Sequence, residues 1–229
     1  MARDVALSTL RTQARQRADA ESSSASTSFV PDSELNSYIN NSLAELYDLI
    51  IEANGDEYYA TAGTPFVTSS GVAAYSLPAD FYRMAGVDAA VGGGTVSLFP
   101  FPFAERNRYQ DLTSPGWFRG ARLYYRLKKE QIVFAPIPDG GYTITLQYIP
   151  NPPILVANGD VFNFHGGWEE YVIIDAAIKM LTKEESDVSV LLLEKQSLIG
   201  RIRAAAPSRD DGLPDVVGDV TRDYDDWLY

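Results

Sequence analysis

The sequence predicts an α+β protein: a four-helix antiparallel bundle with an inserted antiparallel β domain, a small sandwich or barrel, and an extended C-terminal arm. Three observations predict it. Apolar residues recur at three- and four-residue steps near both ends of the chain. Between them lies a stretch of alternating, β-branched and aromatic runs punctuated by Gly and Pro. The last segment, from Ser208, is too polar to build a core of its own.

Residues 1–60 form the first half of the helical domain, with helices at about 3–19 and 32–53. In the first, Val5, Leu7, Leu10, Ala14 and Ala18 make a thin apolar stripe, and Arg3, Arg11, Arg15 and Arg17 crowd the rest, which reads as a solvated amphipathic helix. The Ser/Thr stretch 21–28 is a linker. Asp32 or Ser33 is the expected cap of the second helix, with Glu34 in its first turn, where the dipole favours an acid. Leu35, Tyr38, Ile39, Leu43, Leu46, Tyr47, Ile50 and Ile51 then repeat at helical steps, and Asn54-Gly55 ends the run.

Residues 61–164 are the inserted β domain. Three consecutive antiparallel strands are expected at 121–127, 131–135 and 142–148, joined by turns at Lys128-Lys129-Glu130 and Pro138-Asp139-Gly140-Gly141. At least two more strands precede them, and residues 102–111 form a short helix.

Residues 165–207 complete the bundle, with helices at about 167–184 and 187–206. Tyr171, Val172, Ile174, Ile178 and Leu181 line one face of the third helix, and Ile173, Ala176, Ala177 and Met180 make the other side nearly as apolar. A helix apolar around most of its circumference is buried on more than one side. Tyr171, Ile173 and Met180 are therefore candidates for a subunit contact, as Arg11 and Arg15 are for contact with an acidic neighbour. Ser186 or Asp187 caps the last helix, whose inward residues are Val188, Leu191, Leu192, Leu198, Ile199, Ile202 and Ala205. Pro207 stops it.

The 229 residues carry a formal charge of −12, which argues against a protein that grips nucleic acid through phosphate contacts. An acidic wall instead repels DNA that slides past it. The chain has no cysteine, so disulfides and thiolate chemistry are excluded. No apolar run reaches the length of a membrane span, and the N-terminus lacks a signal-peptide core.

Catalytic motifs are not evident. His165, the one histidine, lacks partners for a triad or a metal site, and reads as a residue of the loop before a helix. Gly92–Gly94 is followed by no Lys-Ser or Lys-Thr and is a strand connection, not a phosphate loop. The sequon at 40–42 sits within a helix and is discounted. Glu169-Glu170, Glu184-Glu185 and Asp225-Asp226 are neighbours about 100° apart on a helix, not acids facing one another across a cleft. No enzymatic activity, cofactor or metal is expected.

With these elements placed, the chain resembles the head-to-tail adaptor (connector) proteins of tailed bacteriophages, especially of the short-tailed type. The resemblance is carried by "ELNSYINNSLAELYDLI", "YSLPADFYRMAGV", "IVFAPIPDGGYTITLQYIPNPPIL" and "GWEEYVIIDAAIKMLTKEESDVSVLLLEKQSLIGRI". It implies a structural virion protein in the neck between capsid and tail, assembled in the host cytoplasm. Such adaptors usually form a ring of twelve copies under the portal protein ring. They extend the channel through which genomic DNA passes without specific binding, and they provide the attachment site for the tail nozzle protein. No membrane is involved. One branch of the family is reported to have muramidase activity, and no residue here matches that role. The alternatives are another neck or stopper ring component, a carbohydrate- or peptidoglycan-acting enzyme marked by two acids converging in a cleft of the β domain, and a non-viral soluble binding module.

The arm, 208–229, has seven Asp against two Arg, a net −5, yet ends on three large side chains. The resemblance implies that such an arm docks on the portal. In that reading Tyr224, Trp227, Leu228 and Tyr229 fill apolar pockets, and Asp223, Asp225 and Asp226 set register against basic groups.

Overall fold

The computed structural model describes residues 2–20, 29–110, 123–165 and 167–205. The linker 21–28 and the arm 208–229, with every arm residue named above, lie outside the described residues. From the N-terminus the chain forms β1 (Ala2–Ala6), α1 (Leu7–Arg17) and α2 (Asp32–Asn54). Then come β2 (Thr61–Ala62), β3 (Phe66–Val67), β4 (Ala74–Ser76), β5 (Phe81–Val91), β6 (Gly94–Ser97) and β7 (Phe99–Pro100). A 3-10 turn at Phe103–Glu105 leads into α3 (Arg106–Gln110), the short helix expected there. After it follow β8 (Tyr124–Lys128), β9 (Gln131–Ala135), β10 (Thr143–Pro150), β11 (Val161–His165), α4 (Glu169–Lys183) and α5 (Ser189–Ala205).

The first helix begins later than expected. Residues 2–6 are not helical but form β1, antiparallel to β11, with Val5 opposite Phe162 and Arg3 opposite Phe164. Val5 and Leu7 fit either period over so short a stretch, and the partner strand that decides lies far along the chain. Helix α1 is no solvated element either: its Leu7, Leu10 and Ala14 are buried, as are Val5 before it and Ala18 after it. Phe162 and Phe164 join this core, so β11 packs with the helices, not with the two larger sheets.

Helix α2 is built as its spacing requires. Leu35, Ile39, Leu43 and Leu46 are essentially inaccessible to water, each contributing about 1.5–3 kcal/mol by burial. Its start differs from the expected cap. Pro31 is the N-cap and no side chain caps the free amides, because the Asp32 carboxylate is turned to Arg11 and Arg15. Its end is as expected, with Gly55 at φ 84°, a conformation costly for other residues.

The four long helices pack through α4, which touches α1, α2 and α5; α2 also touches α1 and α5. Glu34 meets Lys183 while Glu45 meets Lys179, so α2 and α4 are antiparallel. Asp175 meets Lys195 while Gly167 meets Arg201, so α4 and α5 are antiparallel too. Three helices around one account for α4 being buried on nearly all sides. Helix α5 is the least covered: only Leu198 and Ile202 are buried, and Leu192, expected inward, is exposed. At its start the Asp187 carboxylate accepts the Ser189 amide, as anticipated, and this bond holds the acid below its usual range.

The β region forms two sheets around a separate core that includes Val87, Ile132, Phe134, Ile144 and Leu146. One sheet runs β2-β10-β5-β6 with β3 also on β10; the other runs β4-β9-β8-β7. The expected hairpin β8–β9 is present, turning through Lys129 at φ 54°. The expected third strand, at 142–148, is present as β10, but it does not pair with β9. After β9 the chain changes sheets, and β10 pairs with β5 across a register that shifts at Gln147/Tyr148. The sheets are also not wholly antiparallel, since β7 runs parallel to β8. Gly92 and Gly93, both at positive φ, make the two-residue turn between β5 and β6.

Candidate functional site

The most concentrated charge in the described chain lies between α2, α4 and α5. Asp175 is 3% exposed. Its carboxylate accepts the Ser42 hydroxyl at 2.6 Å and sits 2.6 Å from both Lys179 Nζ and Lys195 Nζ. Glu45 receives the same two lysines at 3.0 and 3.1 Å, and Tyr171 donates its hydroxyl to Glu45. Burial alone would raise the Asp175 pKa; hydrogen bonds from Lys179, Lys195 and Ser42 outweigh it, and the net shift is downward. Burial would likewise depress Lys195, but its bond to Asp175 carries it above the ordinary lysine range. Both groups are held in their charged forms, which suits a lock between three helices and not proton transfer at neutral pH.

Two open grooves mark the β domain. One, of about 600 Å³, is lined by Phe66, Tyr75, Leu77, Leu146, Tyr148 and Asp80 among others. Its acid, Asp80, accepts the Tyr148 hydroxyl at 2.9 Å. The other, of about 880 Å³, presents Glu130 beside Lys128 and Lys129. Among the described residues neither groove brings two carboxylates together, the arrangement a glycosidase needs. Tyr47, at the junction with the helices, is pushed up to about 12 by burial and donates to the Pro150 carbonyl. Among the described residues no group of acids and histidines is placed to hold a metal ion.

Of the residues expected at contacts with other chains, the five that are described, Arg11, Arg15, Tyr171, Ile173 and Met180, are met inside this one. Arg11 and Arg15 close on Asp32 at 2.6 and 2.8 Å, each only 12% exposed, and Arg11 also reaches Asn158. Arg15 further donates to the Val30 carbonyl. The pair fixes the corner between α1 and α2. Since Asp32 is 39% exposed and solvent screens it, Asp32→Ala is expected to cost only about 1 kcal/mol, a drop of roughly 2–4 °C in thermal midpoint. A drop above about 10 °C would mean that the corner carries more of the fold. Tyr171, Ile173 and Met180 are all buried within the chain, where α1, α2 and α5 cover α4. The apolar circumference of α4 thus has an explanation that involves no second subunit.

Exposed apolar side chains, which sequence reasoning did not single out, lie elsewhere. Ile154 and Val156 project from the segment between β10 and β11, and Val190 and Leu193 from the outer side of α5. Gly200 shares that side of α5. Among the described residues a Cβ added there would meet nothing, so none of them requires glycine, although glycine costs a helix about 1 kcal/mol relative to alanine. For α5 the available signal was a helix with apolar residues on two sides, and its inner side alone was assigned.

What the described residues present outward at these places is apolar contact area. A family model described as SU10 adaptor protein matches residues 5–226, and the chain belongs to that family of phage head-to-tail adaptors. The role of the family is structural rather than catalytic. No curated protein matches the chain. No helix among the described residues is long and apolar enough to cross a membrane.

Proposed function

We propose that this chain joins the portal to the tail in the virion neck, as a ring of about twelve copies in keeping with the resemblance stated above. The observation that carries the reading is the family match, which runs through the helical unit, the β region and the acidic segment as far as residue 226. The ring extends the DNA channel, and its acidic balance lets the duplex pass without adhering. The β domain faces the tail nozzle. The arm docks on the portal, with Tyr224, Trp227, Leu228 and Tyr229 as apolar anchors and Asp223, Asp225 and Asp226 matched to basic groups. Ordering such an arm offsets about 2–5 kcal/mol of its gross contact energy, so each arm binds modestly and the ring gains by avidity.

Mass photometry of the chain mixed with the portal ring of the same phage tests this. A single heavier species is expected, gaining a fixed multiple of 25.2 kDa and lost on deletion of residues 215–229. A gain that survives the deletion refutes the arm; no gain with the intact chain at low salt refutes the adaptor role.

A further inference from the structure

We propose that the Ile154–Val156 projection of one copy seats on the outer face of α5 of the next, so that identical chains pack head to tail. The proposal rests on the adaptor reading and names the surfaces that make the ring. The projection is stiff. Pro152 and Pro153 precede it, and Leu155, 3% exposed, is clamped by Asn40, which bonds both its N–H and its carbonyl. The Leu7 and Ser8 amides donate to the Asp160 and Asn158 carbonyls, and the Asp160 carboxylate accepts the Val156 and Ala157 amides. Residues on either side of an inward Leu155 are turned outward, and Ile154 and Val156 are 75% and 73% exposed.

The receiving face has the opposite relief. Val190, Leu193, Ser197, Gly200 and Ala204 follow at alternating steps of three and four, which places them within about 80° of the helix circumference. Val190 and Leu193 are 64% and 73% exposed, and all five positions face solvent. No charged residue falls inside this sector; Arg201 stands at its edge. The missing side chain at Gly200 leaves room for an approaching backbone or side chain, a use that none of the described residues makes of it.

The two surfaces occupy different flanks of α2. Asn40 holds the projection, while Glu45 and Glu52 reach Lys195 and Arg203 on α5. Asn40 and Glu45 are five residues apart, about 140° around the helix axis. A contact between unlike surfaces on opposite flanks of one chain is heterologous, the kind of contact that generates a ring where the rotation between copies closes. Charge agrees with this pairing. Asp160 holds a negative charge at the base of the projection, lowered in pKa by the Val156 and Ala157 amides. Arg201 brings a positive charge to the edge of the α5 face; among the described residues its bond goes to the Gly167 carbonyl and no carboxylate pairs with it. A second copy of this chain therefore satisfies both apolar surfaces and both charges in one contact.

The absence of cysteine gives a clean test. Val156→Cys and Ser197→Cys are made singly and together, assembled on the portal ring and oxidised. The doubly substituted chain is expected to give a ladder of covalent multimers, and the two single variants a covalent dimer only when mixed. Dimers from Val156→Cys alone would show a like-to-like contact and overturn the proposal. So would a portal-bound mass gain without any disulfide between positions 156 and 197 of neighbouring copies, which leaves the adaptor reading intact. No mass gain by the unsubstituted chain overturns both. Gly200→Arg is the second variant: it is expected to keep the thermal midpoint at or above the original, since Arg favours helix over Gly, while assembly falls at least about tenfold. Normal assembly of that variant overturns the proposal.

Discussion

Asp175→Asn is expected to destabilise the fold by about 3 kcal/mol at neutral pH, a fall of roughly 6–12 °C in thermal midpoint. The carboxylate is 3% exposed, faces two lysines and accepts the Ser42 hydroxyl. The amide keeps its shape but loses the charge, leaving Lys179 and Lys195 to share Glu45. These lysines retain 26% and 18% of their exposure, so water relieves part of the loss, which sets the effect at the lower end for a broken buried pair. The pH dependence has a definite sign. The folded Asp175 has a lowered pKa, so on acidification the unfolded chain takes up its proton first. The stabilisation is complete above the unfolded value, near 3.8, and is lost as pH falls through the folded one. The difference between the original chain and the variant, measured by urea unfolding, should be flat from about pH 7 to 5 and close below about pH 4. A difference under about 1 kcal/mol at neutral pH, or one that persists undiminished at about pH 3, would show that Asp175 is not held as an ion by its neighbours.

Parts of this fold are legible in the sequence and others are not, according to how far along the chain the deciding partner lies. Helix α2 writes its packing in local spacing, because one face is covered by a single continuous core from Leu35 to Ile51. The β8–β9 hairpin is equally local, since its partners are separated only by the turn at Lys129. Elements decided at a distance are silent. Residues 2–6 become a strand because β11 lies beside them, and β10 leaves the neighbouring β9 to pair with β5. Charge is silent in another way: Arg11 and Arg15 announce an acidic partner, but the pattern does not say that Asp32 of the same chain supplies it. Tyr171, Ile173 and Met180 announce burial on several sides of α4, and the helices that provide it belong to the chain itself. The exposed apolar side chains are the least visible. On α5 both sides are apolar, so periodicity assigned Leu192 to the core and passed over Val190 and Leu193.

The importance of the distant pairing can be measured directly. Phe164→Ala is expected to cost about 3–5 kcal/mol, the transfer energy of the ring plus the cavity it leaves. Phe164 is 1% exposed, and its ring centroid lies 4.8 Å from that of Phe162, which faces Val5 across the strand pair. A two-stranded sheet has little stability of its own, so β1 and β11 are held by the helical core beneath them. Removing the ring therefore weakens the N-terminal strand, the start of α1 and the approach to α4 together. The adjacent residue provides the control. Asn163 is exposed and bonds Asp4 on the solvent side, so Asn163→Ala should cost less than about 1 kcal/mol. Alternation along a one-sided strand requires this contrast between neighbours. Urea unfolding of both variants gives the comparison. Hydrogen exchange should locate the loss from Phe164→Ala in residues 2–17 and 161–183, with residues 131–135 of the separate β core unchanged. Equal effects at 163 and 164 would rule out a strand with one buried face, and exchange that quickens uniformly would show that the two cores open as a single unit.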